Sequence, residues 1–361
     1  MDSVLNVGFV GCGAIARKKH IPAVMQNPFL HIKGFYNRSL EAAENCQLQF
    51  GSPDSCAFHT VEELLEREDI DLVVVATPNS SHADYTIRAL NAGKHVICEK
   101  PMASTAADAQ RMLDAAIQNE KSLHISYQNR YTDQAIYAKR LAEEGKLGQI
   151  YYTKAYALRR RAVPTWGVGL KKEQGGGPLI DIGSHAIDLA LWLSDCFLPE
   201  YAYGTAYNHL AKQGSEANHW GIWDPKAYEV EDLALGLVRM ENGMTLSVEA
   251  SYALNTVEEK EAAVDIFGTQ AGLELRQDRG ISLVQELSGR MVLSREDMQK
   301  TVRGLTPEYA CASPSQRELN AVVNKIRSGN IDHKEAWQAV QVSRIVEGLY
   351  RSAKSEQGVP F

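Results

Sequence analysis

Short apolar runs alternate with amphipathic stretches through the first third of the chain. The runs "LNVGFVG" (5–11), "HIKGFYN" (31–37), "DLVVVAT" (71–77), "HVICEK" (95–100) and "SLHISY" (122–127) are rich in β-branched residues and apolar on both faces. That is the signature of buried parallel strands. Helical spacing recurs between them, near 14–26, 39–50, 60–68, 80–92 and 105–119. Such alternation predicts a doubly wound parallel sheet with right-handed crossovers. Past residue 125 the period changes. A helix over about 132–144 stops at Gly145, and "QIYYTKAYALRRR" (149–161) alternates as a half-exposed strand does. A helical stretch within 175–194 leads into five strand-length runs separated by turns such as "ENG" (241–243). Helices return at about 314–328 and 333–354. The expectation is a doubly wound α/β domain over 1–125 and an α+β domain over 126–361, the latter built on a mainly antiparallel sheet.

Composition narrows the classes. A chain of 361 residues has room for two cores. Its net charge of -7 and pI near 5.9 give no nucleic-acid footprint. "MDSVLNVGFVG" has no basic leader, and no segment is apolar enough to span a bilayer. The six cysteines show no CxxC pair and no metal-ligand spacing, so the expectation is reduced thiols, a cytoplasmic location and no metal.

The first strand runs into "GCGAIARKKH", which sets Gly11, Gly13 and Ala16 in a GxGxxA pattern, with Ala14 and Ile15 opening a helix. Gly11 permits the tight turn and Gly13 lets a pyrophosphate approach the backbone. Ala16 lets the helix lie close to the strand, its N-terminal dipole on the phosphates. The second strand ends in Asn37, Arg38 and Ser39, with no carboxylate until Glu41. An acidic residue there holds a ribose hydroxyl and a basic one accepts a 2′-phosphate, so NADP(H) is favoured over NAD(H). Arg38 could equally stack on the adenine or stand as an exposed helix-start residue. The third strand ends in Thr77, Pro78 and Asn79, with His82 just beyond. Open sheets bind ligands at such C-terminal strand edges, although Asn79 or Ser80 also serves as a helix cap.

The fourth strand ends in Glu99, Lys100 and Pro101. A lysine at that mouth either orients an oxygen beside a nicotinamide or stays solvated against Glu99. In "GGGPLIDIGSHAIDLA" (175–190), Asp181, His185, Asp188 and Trp192 share one helical stripe within apolar surroundings. Polar groups so placed need partners or a task. The stripe is either an internal hydrogen-bond cluster or a site where a histidine moves a proton near neutral pH.

"GCGAIA", "ATPNSSH", "CEKP" and "GGGPLIDIGSHAIDLALWL", in this order and spacing, resemble the glucose–fructose oxidoreductase / inositol dehydrogenase / rhizopine-catabolism (Gfo/Idh/MocA) family. The resemblance extends to the tail "EAWQAVQVSRIVEGLYRSAKSEQGVPF". It implies a Rossmann domain followed by an open antiparallel sheet whose free face is commonly buried in a homodimer or homotetramer. It implies hydride transfer between a nicotinamide and a secondary hydroxyl of a sugar or polyol. Lys100, Asp181 and His185 map onto the catalytic set: His185 takes the hydroxyl proton, and Lys100, held by Asp181, bonds the same oxygen. Cofactor contacts are then expected from Gly11, Gly13, Ala14, Ile15, Asn37, Arg38, Ser39, Thr77, Pro78, Asn79, His82, Glu99, Lys100 and Asn129. Arg130, Arg160 and Trp166 are expected at the substrate, beside Arg159 and Arg161; for the arginines an exposed basic strand is the other reading. Some relatives cleave glycosidic bonds through transient oxidation by bound NAD. That reading and a non-catalytic ligand-binding one remain open.

Overall fold

The computed structural model describes residues 4–165, 171–296 and 312–361. Contacts divide the chain into two units, one formed by 1–128 with 312–340 and the other by 129–311 with 341–361.

The first unit is a parallel sheet of six strands: β1 (Leu5–Val10), β2 (Leu30–Tyr36), β3 (Cys56–Phe58), β4 (Leu72–Val75), β5 (His95–Cys98) and β6 (Leu123–Ile125). Their order is β3-β2-β1-β4-β5-β6. The four residues "LVVV" of β4 are all buried, as a central strand covered on both faces requires. β3 was not expected; its three residues are too short to show a period. The helix Pro314–Arg327 groups with this unit. Ser313 caps it by accepting the amide of Gln316, and Pro314 occupies the first turn, where no amide is missed. Its Leu319, Val322, Val323 and Ile326 fall at i, i+3, i+4 and i+7, one face of a helix. That face packs with Val7, Phe9, Ile32 and Phe35 of the sheet.

The second unit holds a sheet of nine strands: β7 (Ile150–Leu158), β8 (Pro199–Tyr207), β9 (Leu233–Met240), β10 (Thr245–Ser251), β11 (Lys260–Gly268), β12 (Ala271–Arg276), β13 (Gly280–Leu287), β14 (Arg290–Glu296) and β15 (Val359–Pro360). The order is β14-β13-β12-β11-β7-β10-β9-β8-β15. Neighbours run antiparallel except β7 and β10. The β13–β14 hairpin was not expected, because its strands expose most positions and carry little apolar alternation. Along β9, buried Ala234, Gly236, Val238 and Met240 alternate with outward Leu235, Leu237 and Arg239. Leu237 lies directly opposite Tyr203 of β8, and both stand half exposed at 51% and 50%. The helix Ser184–Ser194 rests against β7 and β11 and ends at Asp195, whose φ of 48° is left-handed. Among the described residues no helix is long and apolar enough to cross a membrane.

Candidate active site

In the first unit the sequence motifs gather at one edge. Strands β2, β1, β4 and β5 are adjacent, and residues 37–39, 11–16, 77–79 and 99–100 follow their C-terminal ends. The chain reverses its winding direction on either side of β1, which opens a crevice at that edge. Gly11 has a φ of 103°, and a Cβ there would lie 2.3 Å from the Ala76 carbonyl oxygen. Its amide donates to the Tyr36 carbonyl at 2.8 Å. The φ and the close approach to Ala76 each demand glycine. Gly13 differs: a Cβ would meet nothing within 4 Å. Packing leaves that space open, beside the start of the helical run 14–25, where a phosphate could approach the amides. The cradle therefore fits a dinucleotide. Asn37 braces it, its Oδ1 accepting the Cys12 amide at 3.1 Å and its Nδ2 donating to the Ser39 carbonyl at 3.3 Å. Arg38 and Ser39 stay exposed, as do Ala14 and Ile15. Pro78 precedes the short turn Asn79–Ser81, and Thr77 accepts the Ser81 hydroxyl at 2.9 Å.

Two expected cofactor contacts do other work. His82 is 1% exposed, with its ring nitrogens 2.8 Å from the Pro101 carbonyl and 2.9 Å from that of Thr77. It clamps one loop of the crevice to the next. Burial draws its pKa below the usual imidazole value despite the two carbonyls. Glu99 is 7% exposed. Its Oε1 lies 2.8 Å from Lys19 Nζ and 2.7 Å from His20 Nε2, and its Oε2 accepts the Lys100 amide at 3.1 Å. Burial alone would raise its pKa, but the Lys19 charge and the His20 contact hold it well below the carboxylate range. Glu99 thus fixes the main chain from which Lys100 projects, half-buried.

In the second unit, residues 176–191 are buried except for Asp181 and His185. The segment opens with a π-helical turn, Leu179–Gly183, and continues as the helix Ser184–Ser194. Wide turns of this kind are frequent at functional sites. Glu231 organises the approach, accepting the amides of Gly177 and Leu179 at 3.0 and 3.2 Å and the Tyr350 hydroxyl at 2.7 Å. A Cβ on Gly177 would stand 2.3 Å from the Glu231 carbonyl oxygen, so the close approach needs glycine. Burial keeps the Glu231 pKa raised even with these donors. Asp181 Oδ2 accepts the hydroxyl of fully buried Tyr252 at 2.5 Å. Burial and the facing carboxylate push the Tyr252 pKa well up, so it remains a donor.

The rest of the polar stripe and the expected arginines have other partners. Asp188 is 0% exposed and receives Arg130 Nε at 2.8 Å and Nη2 at 2.5 Å, in a bidentate pair. The Arg130 guanidinium also lies 5.8 Å from the Trp192 ring centroid and 5.9 Å from that of Phe197. Arg130, expected at the substrate, is instead buried in this pair, and Asp188 is its counter-ion. Exposed Arg160, expected at the substrate, donates through Nε and Nη2 to the Thr256 and Val257 carbonyls at 2.9 and 2.7 Å. Arg159 grips Glu261 at 2.7 and 2.6 Å, and Arg161 bonds Asn255 at 2.5 Å. The three arginines rivet 159–161 to the 255–261 segment. Asn129 sits in the turn Gln128–Tyr131, its carbonyl accepting the Thr132 hydroxyl at 3.0 Å. Trp166 lies outside the described residues. Among the described residues no group of three or more His, Cys, Asp or Glu could hold a metal ion.

A glycine cradle on a doubly wound sheet, joined in sequence to a mixed sheet carrying an open Asp–His pair, defines a dinucleotide-dependent oxidoreductase architecture. Residues 5–127 match an oxidoreductase family with an NAD-binding Rossmann fold, and 139–361 match the C-terminal alpha/beta domain of that family; the chain belongs to it. The D-glucoside 3-dehydrogenase of Escherichia coli K12 is 31% identical over 355 residues, covering 98% of this chain and 97% of the relative. The levoglucosan dehydrogenase of Pseudarthrobacter phenanthrenivorans is 30% identical over 266 residues, 68% of this chain and 67% of its own. Among solved structures, a levoglucosan dehydrogenase in complex with NADH superposes with a TM-score of 0.83 at 23% identity, covering 99% of both chains. An aldose–aldose oxidoreductase from Caulobacter crescentus, complexed with glycerol, gives 0.80 at 23% identity over 99% of this chain and 100% of the other. These two likenesses are likenesses of fold.

Proposed function

We propose that the protein is an NAD(P)-dependent dehydrogenase or reductase acting on a secondary hydroxyl or ketone of a sugar, with position 3 of a hexose the first to test. The observation that carries this reading is the opening of Asp181 and His185, alone, out of the buried stretch 176–191. The full-length similarity to a D-glucoside 3-dehydrogenase supports the substrate class. The nicotinamide, when bound, supplies the hydride acceptor. His185 takes the proton from the reacting hydroxyl, and Lys100 donates a hydrogen bond to the same oxygen as negative charge develops there. Asp181, fixed by Tyr252, orients that machinery. A panel of glucosides, hexoses and polyols, followed at the nicotinamide absorbance with both cofactors, tests the proposal. Turnover of none of them overturns it, and reducing sugar released without net reduction of cofactor transfers the protein to the glycoside-cleaving reading.

Exposed Arg38 and Ser39, with no carboxylate before Glu41, support a preference for NADP(H). Arg38→Ala is expected to weaken NADP(H) binding at least about tenfold, one good charge-assisted contact, while NAD(H) changes less than about twofold. Fluorescence titration measures both, and tighter binding of NAD(H) by the unaltered protein overturns the preference. The outward Tyr203–Leu237 pair, flanked by half-exposed Tyr201 and Leu235, supports a homodimer or homotetramer built on this sheet face. Light scattering should show that Leu237→Glu shifts the assembly to monomer; a monomeric unaltered protein ends that idea.

A further inference from the structure

We propose that Lys19 is a positioning residue for Lys100, acting through Glu99, and that Glu318 on the helix Pro314–Arg327 anchors Lys19. The inference rests on the reading of Lys100 as the catalytic lysine. Every contact it uses lies within the first unit.

Glu99 is a buried carboxylate, and such a charge survives only with a buried counter-ion and filled lone pairs. Lys19 supplies the charge at 2.8 Å, on Oε1. His20 shares that oxygen at 2.7 Å, which leaves Oε2 turned to the Lys100 amide at 3.1 Å. A hydrogen bond to a main-chain amide fixes the Cα rather than the side-chain tip, so Glu99 sets the origin of the lysine. Lys19 is itself held on two further sides, by Gln128 Oε1 at 3.1 Å and Glu318 Oε2 at 3.8 Å. Only 13% of the Lys19 side chain and 4% of the Glu318 side chain are exposed. Behind Glu318 the charges continue to alternate: His124 contacts it at 3.1 Å and reaches Glu335 at 3.1 Å, which binds Lys325 at 2.9 Å. Burial would lower the His124 pKa, but the two carboxylates raise it to about 9, so it serves as a cation. Glu318, Lys325 and Glu335 are thereby wired, ion by ion, to the peptide that carries Lys100. A stabilising role alone would not require the last link of the row to be that amide. Displacement by about 1 Å of a group aligned for reaction can cost roughly a hundredfold in rate.

The test uses the full chain, a sugar that it turns over, and four variants: Lys19→Met, Lys19→Met with Glu99→Gln, Glu318→Gln and Lys100→Ala. For Lys19→Met we expect kcat to fall at least about tenfold, with the sugar KM changing less than about threefold. The double variant should regain most of that loss, because the amide of Glu99→Gln needs no cation yet offers Oε1 to the Lys100 N–H. Because removing both charges also restores stability, kcat is read per folded protein, checked by circular dichroism; a fall in kcat at a nearly constant sugar KM in folded Lys19→Met is the result that a purely structural role for Lys19 does not produce. Glu318→Gln should lower kcat about threefold without altering Lys100. It carries the test if Lys19→Met does not fold. The inference fails if Lys19→Met, or Glu318→Gln in its place, keeps the unaltered kcat while Lys100→Ala loses about a hundredfold or more, or if the double variant is no better than Lys19→Met. Retained activity in Lys100→Ala would sink the functional reading instead, and this inference with it.

Discussion

His185→Ala is expected to lower kcat by about a hundred- to ten-thousandfold, the range lost with a positioned general base. Lys100→Ala should cost about a hundred- to a thousandfold, as loss of a single donor to a developing oxyanion does. Neither change should move dinucleotide affinity by more than about threefold, because the cradle rests on Gly11, Gly13 and Asn37 and on neither of these side chains. The contrast separates chemistry from binding. A loss of cofactor affinity in both variants would instead indicate that they shape the dinucleotide site. Rates near those of the unaltered protein in either variant would remove that residue from the mechanism. The helix supports the expectation for His185 on its own, since its neighbours in 186–191 are all buried and packing holds the backbone that carries the imidazole at a fixed place.

The second large effect concerns stability. Asp188→Ala leaves Arg130 buried without its counter-ion, a change worth about 3–5 kcal/mol in comparable sites. Urea unfolding should show that loss in the midpoint. The pair is enclosed, with side-chain exposures of 8% and 1%, so water cannot take the place of the carboxylate. Asp188→Leu combined with Arg130→Met should recover much of the deficit, because matched apolar side chains remove both desolvation penalties together. A deficit below about 1 kcal/mol in Asp188→Ala would show that the ion pair contributes little, as exposed pairs do.

How far the chain discloses this architecture depends on the distance over which each interaction acts. The parallel strands, the glycine cradle and the open face of the Asp–His helix are local patterns, visible as periods of two or 3.6 residues. Lys100 and His185 are proposed from motif order and family likeness, which are themselves local patterns. The partners of Arg130 and Arg160, Asp188 and the 256–257 carbonyls, could not be read because they lie 58 and about a hundred residues away. A basic residue beside a motif looks like a ligand contact until its partner is known. Tyr252, Glu231 and Tyr350 left no trace for the same reason: Asp181 and Gly177 meet them across 71 and 54 positions, and Glu231 meets Tyr350 across 119. The Lys19–Glu318 contact is more remote still. β3, β13 and β14 escaped because a strand of three residues, or one with little apolar alternation, carries no readable period.

The docking of Leu319, Val322, Val323 and Ile326 onto the first sheet bears on how the protein is born. A ribosome releases β1 to β6 early, yet the face formed by Val7, Phe9, Ile32 and Phe35 stays without this cover until all of 129–311 has been made. Domains generally fold as units during synthesis, N-terminal first. Here the N-terminal unit must wait, an unfinished hydrophobic surface held open while a second sheet forms behind it. Such a nascent chain is a natural client for a chaperone, and a fragment cut after Gln128 would be left in that state permanently.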